Sequence, residues 1–124
     1  MKEVLSSFAP TPVGPYSQAV LSGNILFISG QIPFDMKANA LVENDICKAT
    51  ECVMNNIGLI LKEAGMNYSN VVKTSIFLTD MSLFSEVNKI YSSYLTKPFP
   101  ARETMQVSAL PMKSMIEISA IAVK

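Results

Sequence analysis

The chain has 124 residues, about half of them apolar, with ten acidic and ten basic side chains and a net charge of zero. That length suits a single domain spanning residues 1–124, and the scattered lysines offer no basic stripe of the kind that binds nucleic acid by neutralising phosphates. There is no histidine, which excludes Ser-His and Cys-His nucleophile pairs and His-rich zinc sites.

Acid–base chemistry in such a chain falls to Asp, Glu, Lys, Tyr, Cys, the backbone or water. No apolar run approaches the roughly 18 residues of a membrane span, and the N-terminal "MKEVLSSFAPTPVGPYS" lacks the apolar stretch of a signal peptide. A soluble cytoplasmic protein is therefore expected, with no membrane partner. The mean hydropathy of +0.30 is high for so small a chain. It hints at apolar surface covered by a further subunit.

The first sixteen residues are rich in Pro and Ser and resist helix formation. "SQAVLSGNILFISGQIP" reads as two strands joined near Ser22-Gly23-Asn24, where Gly-Asn suits a tight hairpin. The second strand, Ile25 to Ser29, is nearly all apolar, so both of its faces are expected to be covered. Residues 34–44 read as a loop. Asn44 or Asp45 then caps a helix running to about Ala64. Its stripe is Ile46, Ala49, Val53, Ile57, Ile60, Leu61 and Ala64, at helical period. Gly65 supplies the C-terminal stop. Cys47 and Cys52 lie on this helix about 140° apart, a spacing that fits neither a disulfide nor a zinc motif.

A β-branched strand follows from Val71 to Leu78. Asp80 caps a second helix carrying Leu83, Phe84, Val87, Ile90, Tyr91 and Tyr94, and "KPFP" ends it. Two more strands, near residues 101–108 and 115–123, close the chain. The order is ββαβαββ, an α+β sheet with two helices on one face. No third helix covers the other face, so a homo-oligomer is expected.

Arg102 is the only arginine. On a strand, its planar fork of donors suits a carboxylate or a phosphate, but a structural ion pair is the common fate of such a residue. Glu117 lies in "MIEISAIAV", where desolvation raises a carboxyl toward useful acid–base values. The ordinary alternative is pairing with Arg102 or a lysine. If the last two strands form a hairpin centred near Pro111-Met112, Arg102 faces Ile121 and Glu117 faces Gln106. The two side chains then sit roughly 13 Å apart along the sheet. That distance is too long for an ion pair or for gripping one three- or four-carbon molecule. On this pairing, a shared site needs neighbouring subunits. Tyr16 in "GPYSQAV", and Ser29 and Gly30 in "SGQIP", offer a phenol, a hydroxyl and a close backbone approach. Turn chemistry and strand ends account for them equally well. Asn88 sits on the second helix, where a solvated polar face is the default.

"GPYSQAV", "ISGQIP", "NIGLILKEAG", "VVKTSIFLTDM", "FPAR" and "IEISAIAV" occur in this order. Together they resemble the RidA (YjgF-type) reactive-intermediate deaminases over nearly the whole chain. The resemblance implies a chorismate-mutase-like α+β fold that assembles as a homotrimer with sites between subunits. It implies hydrolysis of 2-aminoacrylate and 2-iminobutyrate to 2-oxo acids and ammonia, which spares pyridoxal-phosphate enzymes from damage. No cofactor or metal is implied.

Arg102 matches the family position that holds the substrate carboxylate, and Glu117 the one that activates water. Tyr16, Ser29, Gly30 and Asn88 match pocket positions. Many family members read Ser-Cys after the arginine; here the pair is Glu103-Thr104. Thr104 alternates onto the face of Arg102 and replaces a thiol by a hydroxyl, while Glu103 points away. The same resemblance leaves room for a trimer that binds 2-oxo acids or acts as a holdase. A ribonuclease role, also attributed to relatives, fits poorly with neutral charge and a single arginine.

Overall fold

The computed structural model describes residues 1–124 as eight strands and two α-helices. The strands are β1 (Lys2–Val4), β2 (Ala19–Ser22), β3 (Ile25–Gln31), β4 (Phe34–Asp35), β5 (Ala40–Leu41), β6 (Val71–Leu78), β7 (Ala101–Gln106) and β8 (Ile116–Val123). The helices are α1 (Ile46–Glu63) and α2 (Phe84–Ser93). Six strands form one sheet in the order β1-β2-β3-β8-β6-β7, and β4 pairs with β5 alone. The fold is thus the α+β arrangement expected, enlarged by β1 at one edge and by the small hairpin inside residues 34–44.

Local chemistry explains the elements. Gly23 occupies the first position of the two-residue β2–β3 turn with φ of +60°, a conformation glycine adopts without steric cost. Asp45 is the cap of α1, its side chain accepting from the Lys48 N–H. All seven positions of the expected stripe are buried against the sheet. Gly65 follows α1 with φ of +72°. Asp80 caps a single 3-10 turn, Met81–Leu83, which runs directly into α2. Cys47 and Cys52 remain free thiols. Burial pushes the Cys52 thiol up to about 11, with Asp35 nearby adding to the shift, so it stays protonated and unreactive at neutral pH.

The sheet differs from expectation in one respect that matters. The last two strands are not a hairpin: β7 runs parallel to β6 at the sheet edge, and β8 is inserted between β3 and β6, antiparallel to both. The reason lies in the two sequences. β8 carries six apolar residues out of eight and belongs where strands flank it on both sides. β7, "ARETMQ", is polar enough for an edge, and its Glu103 pairs with Lys73 at 3.2 Å. Such charges discourage unwanted strand addition.

Alternation along β8 defines the two faces. Ile116, Ile118, Ala120 and Ala122 are buried under the helices, while Glu117, Ser119, Ile121 and Val123 point to the other face. α1 packs on β8 and β3, with α2 beside it. The helix-free face of the single chain is open. On it Phe27 is 46% exposed and Ile25 36%, so β3 is covered on one face only, not on both.

Candidate functional site

The residues singled out in the sequence fall into two groups. Arg102 and Thr104 share the helix face of β7, because Arg102 stands level with Thr74 of β6, itself buried under α2. Phe84, Asn88 and Tyr91 recur at i, i+4 and i+7 on α2 and therefore present one row to that strand. Arg102 lies against this row. Its Nη1 donates to Asn88 Oδ1 at 2.8 Å, and its Cζ sits 5.3 Å from the Phe84 ring centre and 5.1 Å from that of Tyr91. Contacts of this kind contribute about 0.5–2 kcal/mol each, depending on desolvation.

No carboxylate pairs with Arg102: the single ion pair of the chain is Lys73–Glu103, on the opposite face. The structural ion pair is therefore excluded within one chain. Asn88 takes one of five N–H donors and leaves four without a protein acceptor. Asn88 is accordingly a guanidinium partner and not merely part of a solvated helix face. The Thr104 hydroxyl is the one buried side-chain polar atom with no hydrogen-bond partner. A group of that kind costs about 1–3 kcal/mol when left unsatisfied. Glu103 points away, as its place in the alternation requires. Ser75 donates to it and Lys73 lies beside it, and together they hold its carboxyl below the ordinary range.

The second group gathers on the open face around a bulge in β3. Ile28 pairs with Ala120 and Gln31 with Ile118, so Ser29 and Gly30 together oppose a single residue of β8. Ser29 Oγ donates to the Ser17 carbonyl at 2.6 Å. That bond ties the bulge to the loop carrying Tyr16, whose ring is half exposed. Glu117 lies across the bulge. A Cβ placed on Gly30 would stand 2.6 Å from Glu117 Cδ and 2.7 Å from Oε2. Only glycine lets the carboxyl rest on the backbone there. Burial pushes the Glu117 carboxyl above its ordinary value, and it has neither an ion-pair nor a hydrogen-bond partner in the chain. Pairing with Arg102 or a lysine is thereby excluded too.

Arg102 and Glu117 do not meet. β6 runs between their strands, Arg102 level with Thr74 and Glu117 with Phe77. Three residues along and two strands across separate their Cα atoms by roughly 14 Å, on opposite faces of the sheet. The separation inferred from a hairpin survives, although the hairpin does not. Two surface cavities, of about 860 and 320 Å³, contain none of the seven singled-out residues. The larger is an open groove beside α1 with side chains of both charges, and its one thiol is the protonated Cys52. Neither cavity collects groups suited to a reaction.

Sequence reasoning placed Phe84 and Tyr91 on the second helix and missed their contact with Arg102. The i, i+4, i+7 spacing with Asn88 carried that signal. It also missed Thr74, whose Oγ1 lies 2.7 Å from Tyr91 Oη, and Gln18, a buried amide that pins the N-terminal segment through Ser6 and Pro10.

The mixed α+β sheet carries an arginine–asparagine cluster on one face and a glycine–glutamate cluster on the other, and comparison with known proteins gives the chain a family. A family profile described as Endoribonuclease L-PSP matches residues 6–124, and the chain belongs to the RidA/YjgF family. A RutC family protein from Pyrococcus horikoshii is 46% identical over 125 residues, covering 100% of this chain and 99% of its own. Human 2-iminobutanoate/2-iminopropanoate deaminase is 46% identical over 116 residues, covering 94% of this chain and 85% of that protein. The crystal structure of RidA from an Antarctic Psychrobacter matches with a TM-score of 0.95 at 39% identity, over the whole of both chains. No helix is long and apolar enough to cross a membrane.

Proposed function

We propose that this chain hydrolyses small 2-imino acids, of the 2-iminobutanoate and 2-iminopropanoate type, to 2-oxo acids and ammonia, at sites formed where copies of the chain meet. One observation carries the reading. The family's pocket positions split into two incomplete halves on opposite sheet faces, one with free guanidinium donors and one with an unpaired carboxyl. The human relative bears the name of this activity.

In this reading Arg102 grips the substrate carboxylate with its Nε and Nη2 donors, the pair left free when Asn88 engages Nη1. Thr104 beside it and Tyr16 of the adjoining copy supply further hydrogen bonds, and Ser29 and Gly30 of that adjoining copy form the wall behind the reacting carbon. Glu117 of the adjoining copy, ionised, takes a proton from water as the oxygen adds to C2. The C=N π pair moves to nitrogen, which takes that proton back from Glu117, giving a carbinolamine. Glu117 then carries the hydroxyl proton to the same nitrogen as C=O forms, the C2–N bond breaks, and ammonia leaves. An enamine such as 2-aminoacrylate enters after tautomerising to its imine. Positioning and proton transfer suffice, the latter contributing roughly 10²–10⁴. The chemistry calls for neither metal nor cofactor. Removing such intermediates protects pyridoxal-phosphate enzymes from them.

Two different patches that meet make a head-to-tail interface, which closes as a ring. A homotrimer, the number implied by the family resemblance, would give a light-scattering mass of roughly three times the 13.5 kDa chain. For activity, the chain is mixed with a threonine dehydratase and threonine, and imine decay and 2-oxobutanoate release are followed. Acceleration that Arg102→Ala abolishes supports the reading. Binding of 2-oxobutanoate without acceleration makes the chain a 2-oxo-acid binder instead.

A further inference from the structure

We infer that Thr74 and Tyr91 form a positioning pair that fixes the plane of the Arg102 guanidinium, an inference that rests on the carboxylate-binding role proposed for that group. The hydroxyls of Thr74 and Tyr91 lie 2.7 Å apart and both residues are buried, at 3% and 5% exposure. Thr74 is on β6, level with Arg102 on β7, so the strand pairing that sets the arginine's height also sets the height of the Tyr91 ring.

The ring has two degrees of freedom to lose, rotation at its χ angles and sliding with α2. One hydrogen bond to a β-branched residue in a rigid strand removes both. With the ring held, its face opposes Arg102 Cζ at 5.1 Å while Phe84 opposes it at 5.3 Å. Asn88 then anchors Nη1 from the same helix row. A guanidinium held by two ring faces and one acceptor loses its swing about Cδ–Nε and, through the bond at Nη1, its rotation about Nε–Cζ. Its free edge stays pointed outward for a planar, two-pronged anion. Neither Thr74 nor Tyr91 needs to touch substrate.

Arg102 is the only arginine, so the arginine side-chain region of a nitrogen-15 NMR spectrum reports this residue alone. Slow guanidinium rotation, seen as separate Nη resonances at low temperature, is expected in the wild type. Thr74→Ser, which keeps the hydroxyl, retains it, while Thr74→Val and Tyr91→Phe lose it. In the imine assay, Thr74→Val and Tyr91→Phe raise KM several-fold with kcat changed less than about twofold. Their combination costs no more than the worse single change, because either removes the same hydrogen bond. A wild-type guanidinium that rotates as freely as in an unfolded peptide overturns the inference, whether or not the variants fold. So does hindered rotation that both variants retain. If rotation depends on the pair as expected but Arg102→Ala hydrolyses imine at the wild-type rate, the hold on Arg102 stands and the deaminase reading fails.

Discussion

The two halves of the proposed site are built by different means. Around Arg102 the work is done by side chains: an edge strand, one row of a short helix, and contacts from Phe84, Asn88 and Tyr91. Around Glu117 it is done by the backbone. A bulge and a residue without a Cβ give a carboxyl a bed in which burial raises its proton affinity. The first half is rich in unspent donors and suits a fixed negative charge. The second holds a proton acceptor poised above its usual range and suits a group that changes charge during a reaction. Division across a sheet keeps the two from neutralising each other, as they would if they met within one chain.

The contrast can be broken at its strongest point first. Arg102→Ala removes two charge-assisted hydrogen bonds of about 1.5–3 kcal/mol each. It should lower kcat/KM by roughly 10²–10⁴, measured with dehydratase-generated imine, and should weaken 2-oxobutanoate binding in calorimetry. Gly30→Ala drives a methyl into the Glu117 carboxyl. Here kcat should fall by about 10² while circular dichroism and KM stay near wild type, because the arginine half is untouched.

Glu117→Gln has a pH signature. The unfolded carboxyl releases its proton at its ordinary value, whereas the folded one holds it to higher pH. Between those two values the native state binds more protons, so wild-type stability falls as pH rises. The variant lacks this slope. Urea denaturation should find the two proteins equal below the ordinary carboxylate range and the variant more stable at neutral pH. The smallest effect belongs to Thr104→Val, which removes an unpartnered hydroxyl. Thermal unfolding should show a gain of up to about 1 kcal/mol, with KM raised only a few-fold.

Much of this arrangement was legible in the residues. A cap at Asp45, a stripe from Ile46 to Ala64 and Gly65 beyond it specify α1 locally, and period-two alternation separates Arg102 and Thr104 from Glu103. The strand order was not legible. An apolar strand such as β8 reveals that its surroundings are covered, not which strands flank it, and the α2 crossover could be anticipated without the insertion of β8 beside β6. The Gly30–Glu117 contact was hidden for a similar reason. It depends on a bulge joining strands far apart in sequence, and nothing local to "SGQ" announces it. For Asn88 a solvated face is the default from its helix alone, and only the family resemblance marks it as a pocket position, because its partner lies on another element.

In the proposed function one catalytic centre draws its anion anchor and its base from two polypeptides. Arg102→Ala and Glu117→Gln are prepared separately, each inactive, then unfolded together in equal amounts and refolded. With random mixing in a ring, about a quarter of the interfaces pair an intact arginine with an intact glutamate. Recovery of about that fraction of wild-type imine hydrolysis is expected. Hybrid oligomers that form but stay as inactive as their parents would contradict the shared centre.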